Sequence, residues 1–169
     1  MGAGKSTVGK YLARMLRYDF IDLDKYIENK YNTSINAFFA SNGEEAFRIE
    51  EYRSLVEITE MYSKGKSLIL ALGGGTVTRE NSANIIRERC FGIYLQCPKN
   101  ELVRRLRRRR DNRPLLKDKS EEELSDYIQN LMDARENAYR SSSKCTISTE
   151  NRQLADVIDL ILTMVEFEG

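Results

Sequence analysis

Gly2-Ala3-Gly4-Lys5-Ser6-Thr7 opens the chain with residue types that hold phosphate. In the pattern G-x-x-x-x-G-K-[ST], glycines let successive backbone N–H groups converge on an anion. The helix that follows adds its positive N-terminal end. Gly4-Lys5-Ser6 supplies the end of that pattern, and its leading Gly would fall two residues before Met1. In such a loop Lys5 reaches the β- and γ-phosphates of a nucleotide and the Ser6 hydroxyl holds Mg²⁺. Two plainer readings compete. Met1-Gly2 with Ser6 fits an N-myristoylation signal, and a glycine-rich start fits a frayed terminus. Neither accounts for the helical stripe of Val8, Tyr11, Leu12, Met15 and Leu16 that follows at once.

Asp22-Leu23-Asp24 is the second chemical feature. A spacing of two puts both carboxylates on one side of a strand end, where open α/β sheets bind ligands. One could hold Mg²⁺ through water while the other accepts a proton from a substrate hydroxyl; alternatively, Asp24 is simply a helix N-cap. Gly73-Gly74-Gly75 permits a ligand to approach the backbone closely, or is a flexible turn. Arg48 and Arg135 are candidate anion clamps, because a guanidinium fork matches a carboxylate; on residue type alone, either is equally an ordinary surface arginine. The run Arg104-Arg105-Leu106-Arg107-Arg108-Arg109-Arg110, then Arg113, invites a nucleic-acid reading. It lacks interleaved aromatics and is followed by acidic residues, which favours a solvated helix leading into a lid over nucleotide phosphates.

Composition narrows the chemistry. The 169 residues, 41% hydrophobic and 31% charged, suit one globular domain with its own core. A net charge of +1 gives no global field for nucleic acid or anionic membrane. Neither a membrane-span-length apolar run nor a signal peptide is visible. The three cysteines, Cys90, Cys97 and Cys145, lack metal-ligand spacing and suit a reducing, cytoplasmic setting. There is no histidine, so Ser-His catalysis and His-ligated metals are excluded. Chemistry falls to Asp, Glu, Lys, Arg and backbone amides.

These groups need elements to position them. The pattern predicts helices over 4–17, 24–31, 34–41, 44–62, 80–89, 99–109, 121–139 and 152–165. Strands are predicted over 19–22, 67–72, 92–96 and 144–148, and a polar loop over 111–119. Ser120 and Glu123 form a capping box for the helix that follows them. Helix and strand alternating in this way predict an α/β fold with a parallel sheet covered on both faces. A phosphate loop of this kind normally follows a buried central strand, and none precedes Gly2. The expectation is a reading frame that begins upstream of Met1, since a core without that strand would forfeit on the order of 10 kcal/mol.

In order along nearly the whole chain, the motifs resemble those of shikimate kinases. These are Gly2-Ala3-Gly4-Lys5-Ser6-Thr7, Phe20-Ile21-Asp22-Leu23-Asp24, Gly43-Glu44 with Phe47-Arg48 and Glu51, Ala71-Leu72 with the three glycines, Arg113-Pro114-Leu115-Leu116, and Arg135 with Tyr139. The resemblance implies a three-layer parallel sheet of the phosphate-loop NTPase and nucleoside-monophosphate-kinase type. It implies one domain over 1–169, with substrate-binding helices about 24–64 and a lid about 110–120. It implies transfer of phosphate from ATP, with Mg²⁺, to shikimate by a cytoplasmic monomer that binds neither nucleic acid nor membrane. By the same resemblance Gly2 to Thr7 bind ATP, Lys5 contacts its phosphates, and Ser6 ligates Mg²⁺ with Asp22 in the outer shell. Asp24 binds the hydroxyl that is phosphorylated. Arg48 and Arg135 grip the shikimate carboxylate, Glu51 steadies Arg48, and Gly73, Gly74 and Gly75 line the sugar-like ring. Arg113 neutralises the transferring phosphoryl group, and Arg110 and Arg152 flank the adenine. An exposed Asp with a pKa near 4 is a poor base, so Asp24 is expected to orient the hydroxyl. Gluconate and nucleoside-monophosphate kinases, and a non-catalytic nucleotide-binding fragment, are the alternatives.

Overall fold

Val8, Leu12 and Ala13 lie on one stripe of the first helix and are buried, which seats α1 (Lys5–Leu16) on the strands that follow it. The protein is described from a computed structural model, over residues 2–107 and 120–168. It divides into two compact units, one of Lys5–Gly92 and one of Met1–Gly4 with Ile93–Gly169.

In the first unit β1 (Asp19–Asp22) pairs parallel with β2 (Leu68–Ala71), in register from Asp19 opposite Leu68 to Asp22 opposite Ala71. A parallel pair needs a long crossover, supplied by α2 (Leu23–Tyr31) and α3 (Ile35–Met61). Gly9 lets α1 lie close on this pair: a Cβ there would come 2.7 Å from Phe20 Cε2. Asp22, the last residue of β1, also caps α2, accepting from Lys25 N at 3.4 Å. Asp24 is therefore not the cap; it sits in the first turn of α2.

The run α3 is two helices that meet at Gly43, as expected over 34–41 and 44–62: φ of 81° and ψ of 169° there are not helical. That backbone region is open essentially to glycine alone. Aromatic packing joins the two helices across this break. Phe38 and Phe47, both buried, meet edge to face at 5.9 Å, and Phe39 lies 4.7 Å from Phe47. Beyond Gly43, Leu55 and Ile58 continue the core, with Leu23 and Ile27 of α2. A 3-10 turn, Thr76–Thr78, and α4 (Glu80–Arg89) complete this unit.

In the second unit β3 (Ile93–Gln96) pairs parallel with β4 (Cys145–Ser148), and α5 (Lys99–Arg107), α6 (Glu121–Ser141) and α7 (Leu154–Glu168) surround them. Among the described residues β2 pairs only with β1 and β3 only with β4. The expected capping box is present: Glu123 N donates to Ser120 Oγ at 3.1 Å, and Ser120 N to Glu123 Oε2 at 2.6 Å. Tyr94, Cys97, Leu102, Leu106, Leu124, Ile128 and Met132 form the core, with Ala3 packed against it. Arg104 and Arg105 spend their charge on Glu101 of their own helix, each at 2.7 Å. Arg107 is the last residue of α5; the remaining arginines of the run, and all of the expected lid except Ser120, lie outside the described residues. Among the described residues no helix is long and apolar enough to cross a membrane.

Candidate active site

The parallel register brings the carboxyl ends of β1 and β2 side by side, so Asp22-Leu23-Asp24 lies next to the stretch that begins at Leu72. The first turn of α1 reaches the same edge. Ser6 Oγ donates to Asp22 Oδ2 at 2.6 Å. A hydroxyl held by a carboxylate in this way suits Mg²⁺, which keeps most of its shell as water and phosphate and takes few protein ligands. No cluster of three or more acidic, His or Cys side chains suited to a metal occurs among the described residues.

Asp24 is half-buried rather than exposed. Burial, the charges of Asp22 and Glu51, and to a smaller extent Glu28 push its carboxyl from 3.8 up to about 6, against the opposing pull of Lys5. The expectation of an exposed Asp with an ordinary pKa is therefore corrected. A place at a strand end says nothing about the glycine run and the Glu51 carboxylate that close around it.

Arg48, on α3 one turn after the kink, donates to Glu51 Oε2 at 2.7 Å and to Glu44 Oε1 at 3.1 Å. Glu51 is only 2% exposed, and its other oxygen accepts from Thr76 Oγ1 at 2.6 Å. The glycine run makes room for this group. A Cβ on Gly73 would come 2.8 Å from Asp24 Oδ1 and 3.0 Å from Glu51 Oε1. One on Gly75 would come 2.5 Å from Arg48 Nη2. Gly75 has φ −106°, which any residue adopts, so what it supplies is space rather than an unusual backbone. The flexible-turn reading of Gly73-Gly74-Gly75 is thereby replaced by close packing against the charged side chains.

At the start of the chain, Gly2 and Gly4 take φ of 79° and 89°, the left-handed region that a phosphate-cradling loop needs, and α1 begins at Lys5. The family model for shikimate kinase matches residues 1–166. The chain belongs to the shikimate kinase family. It is 34% identical over 170 residues to a shikimate kinase of Chlorobium chlorochromatii, covering 98% of this chain and 86% of that one. It is 37% identical over 166 residues to one of Bordetella pertussis, covering 98% and 75%. Among solved structures, the shikimate kinase of Acinetobacter baumannii in complex with shikimate matches with a TM-score of 0.88 and 34% identity, over 100% of this chain and 90% of that chain. That of Bacteroides thetaiotaomicron matches with a TM-score of 0.90 and 30% identity, over 98% and 94%. The fold is thus the α/β fold of the phosphate-loop NTPases.

Within this shikimate kinase family member, Lys5, Ser6, Asp22, Asp24, Arg48, Glu51, Gly73, Gly74 and Gly75 all belong to the first unit. Arg135 and Arg152 belong to the second. Arg135, half-buried on α6, hydrogen-bonds Tyr139 one turn on. Arg152 is exposed and donates to Ser148 O at 2.6 Å. Arg110 and Arg113 lie outside the described residues. Thr76 was not legible as a site residue: it follows the glycines as one polar residue among many, and only the fold shows its hydroxyl buried on Glu51.

Proposed function

We propose that the protein transfers the γ-phosphoryl group of ATP to the 3-hydroxyl of shikimate, giving shikimate 3-phosphate and ADP, a step of aromatic amino-acid (chorismate) biosynthesis. One observation carries this: an arginine seated on a buried glutamate, a half-buried aspartate and a phosphate-loop lysine share one sheet edge, as an acceptor with both a carboxylate and an alcohol requires. The shikimate seen in the Acinetobacter baumannii relative supports the choice of acceptor.

The backbone amides of Gly2 to Thr7 and the N-terminus of α1 bed the ATP phosphates. Lys5 offsets charge on the β- and γ-phosphates. Ser6 and Asp22 would hold Mg²⁺, which when bound screens charge between those phosphates. Arg48 grips the shikimate carboxylate, a role that the family resemblance extends to Arg135, and Gly73, Gly74 and Gly75 let the ring lie close to the backbone. Asp24 accepts a hydrogen bond from the 3-hydroxyl. As the new O–P bond forms and the bond to ADP breaks, the hydroxyl proton passes to an Asp24 oxygen. A carboxyl titrating near 6 takes it more readily than an ordinary Asp. Arg113 neutralises the phosphoryl group in flight, and Arg110 and Arg152 flank the adenine. Residues 1–169 act as one kinase domain, with α2 and α3 as its substrate-binding part and 110–120 as its lid. None of Cys90, Cys97 and Cys145 is in a disulfide, which supports a cytoplasmic setting, and a monomer suffices for this chemistry.

The test is a coupled ADP-release assay on a panel of shikimate, gluconate and nucleoside monophosphates. Turnover is expected with shikimate alone. ADP release that is independent of acceptor, or a preference for gluconate or a nucleotide, would overturn the assignment.

A further inference from the structure

Thr76 has a role that its position after the glycines does not suggest. It is fully buried, at 0% exposure, and opens the 3-10 turn that returns the chain from Gly75 to α4. Its hydroxyl donates to Glu51 Oε1 at 2.6 Å, while the opposite oxygen of the same carboxylate receives Arg48 at 2.7 Å. Its backbone N–H bonds back to Gly73 O at 3.4 Å, fixing the hydroxyl relative to the glycine run. Glu51 thus has one oxygen for each neighbour and is itself buried.

We infer that Thr76 is a positioning residue for the acceptor site: through Glu51 it sets the plane and reach of the Arg48 guanidinium and so tunes affinity for the acceptor's carboxylate. The inference rests on the proposed role of Arg48. The physical argument is one of degrees of freedom. A carboxylate held at only one oxygen can turn about its last bond, and a guanidinium paired to it turns with it. A second, charge-assisted hydrogen bond stops that rotation. Since Arg48 also bounds the space that Gly75 leaves open, a small turn of the guanidinium moves a wall of the acceptor site. Thr76 touches neither phosphate nor acceptor in this scheme, so its loss should appear in acceptor binding and not in the chemical step.

The experiment compares Thr76→Val, which keeps the shape and removes the hydroxyl, with Thr76→Ser, which keeps the hydroxyl. In Thr76→Val, KM for shikimate should rise about five- to thirtyfold, as when a buried carboxylate oxygen loses its partner. The kcat and the KM for ATP should stay as in the wild type, and Thr76→Ser should restore the shikimate KM. Should Thr76→Val fail to fold, Thr76→Ala takes its place with the same expectation. An unchanged shikimate KM overturns the inference. So does a parallel loss of kcat and both KM values that Ser does not rescue, which marks a merely structural residue. Arg48→Lys, measured alongside, separates the layers. If it weakens shikimate and Thr76→Val does not, only the role of Thr76 falls; if Arg48→Lys itself has no effect, the reading of the site falls with it.

Discussion

Ser6 Oγ donates a hydrogen bond to Asp22 Oδ2 across 2.6 Å, tying the first turn of α1 to the end of β1. Ser6→Ala removes a hydroxyl that serves both the carboxylate and the proposed Mg²⁺ site. The expected outcome is a fall in kcat/KM for ATP of about ten- to a hundredfold. Thermal stability should change little, because Asp22 keeps its cap to Lys25 N. Steady-state kinetics over varied ATP and Mg²⁺, with a melting curve, check both halves.

Asp24 should govern the acid side of the activity profile. Burial first, then the Asp22 and Glu51 charges, place its carboxyl at about 6 in the folded protein. Hence kcat/KM for shikimate should rise with pH through an apparent pKa near that value. An acid limb near 3.8, the ordinary value, would show that the carboxyl is not buried in the working enzyme.

The same carboxyl carries a stability cost. A folded-state pKa above the unfolded one means that its contribution is fully present below pH 3.8 and is lost as pH rises through about 6. Asp24→Asn should therefore abolish turnover yet stabilise the protein by roughly 2 kcal/mol at about pH 8. Below the unfolded pKa the gain should vanish. Urea denaturation at the two pH values measures the difference, and a destabilised variant at the higher pH would contradict it.

Gly75→Ala tests whether the glycine run serves the arginine. The added methyl would lie 2.5 Å from Arg48 Nη2 and 2.7 Å from Nη1, so the flexible guanidinium must move while the backbone need not. The KM for shikimate should rise by about tenfold or more, with ATP binding intact. Isothermal titration with each ligand separately reads this directly.

Gly43→Ala tests the kink of α3. Nothing lies within 4 Å of where its Cβ would go, so any cost comes from the backbone at φ 81°. A loss of about 1–3 kcal/mol of stability is expected, read as a lower melting temperature.

Periodicity found every strand among the described residues, because short apolar runs between amphipathic helices leave few alternatives. It placed Asp19–Asp22 and Glu80–Arg89 with the bounds the structure has. It divided α3 at Gly43, where the backbone does leave the helix; the aromatic contacts that hold the two halves together were not visible in the pattern. The motifs named Ser6, Asp22, Asp24, Arg48 and Glu51, whose types declare their chemistry. What they could not show was the burial of Asp24 and the Thr76 hydroxyl on Glu51. Both depend on residues brought together from β1, α3 and the turn after β2, and no local pattern records such a meeting.

Phosphorus NMR of a mixture of the protein, Mg-ATP and shikimate tests the central claim most directly. A phosphomonoester signal should grow in step with ADP, and should be absent when shikimate is omitted. ADP accompanied only by inorganic phosphate, or no consumption of ATP, would contradict phosphoryl transfer to shikimate at this site.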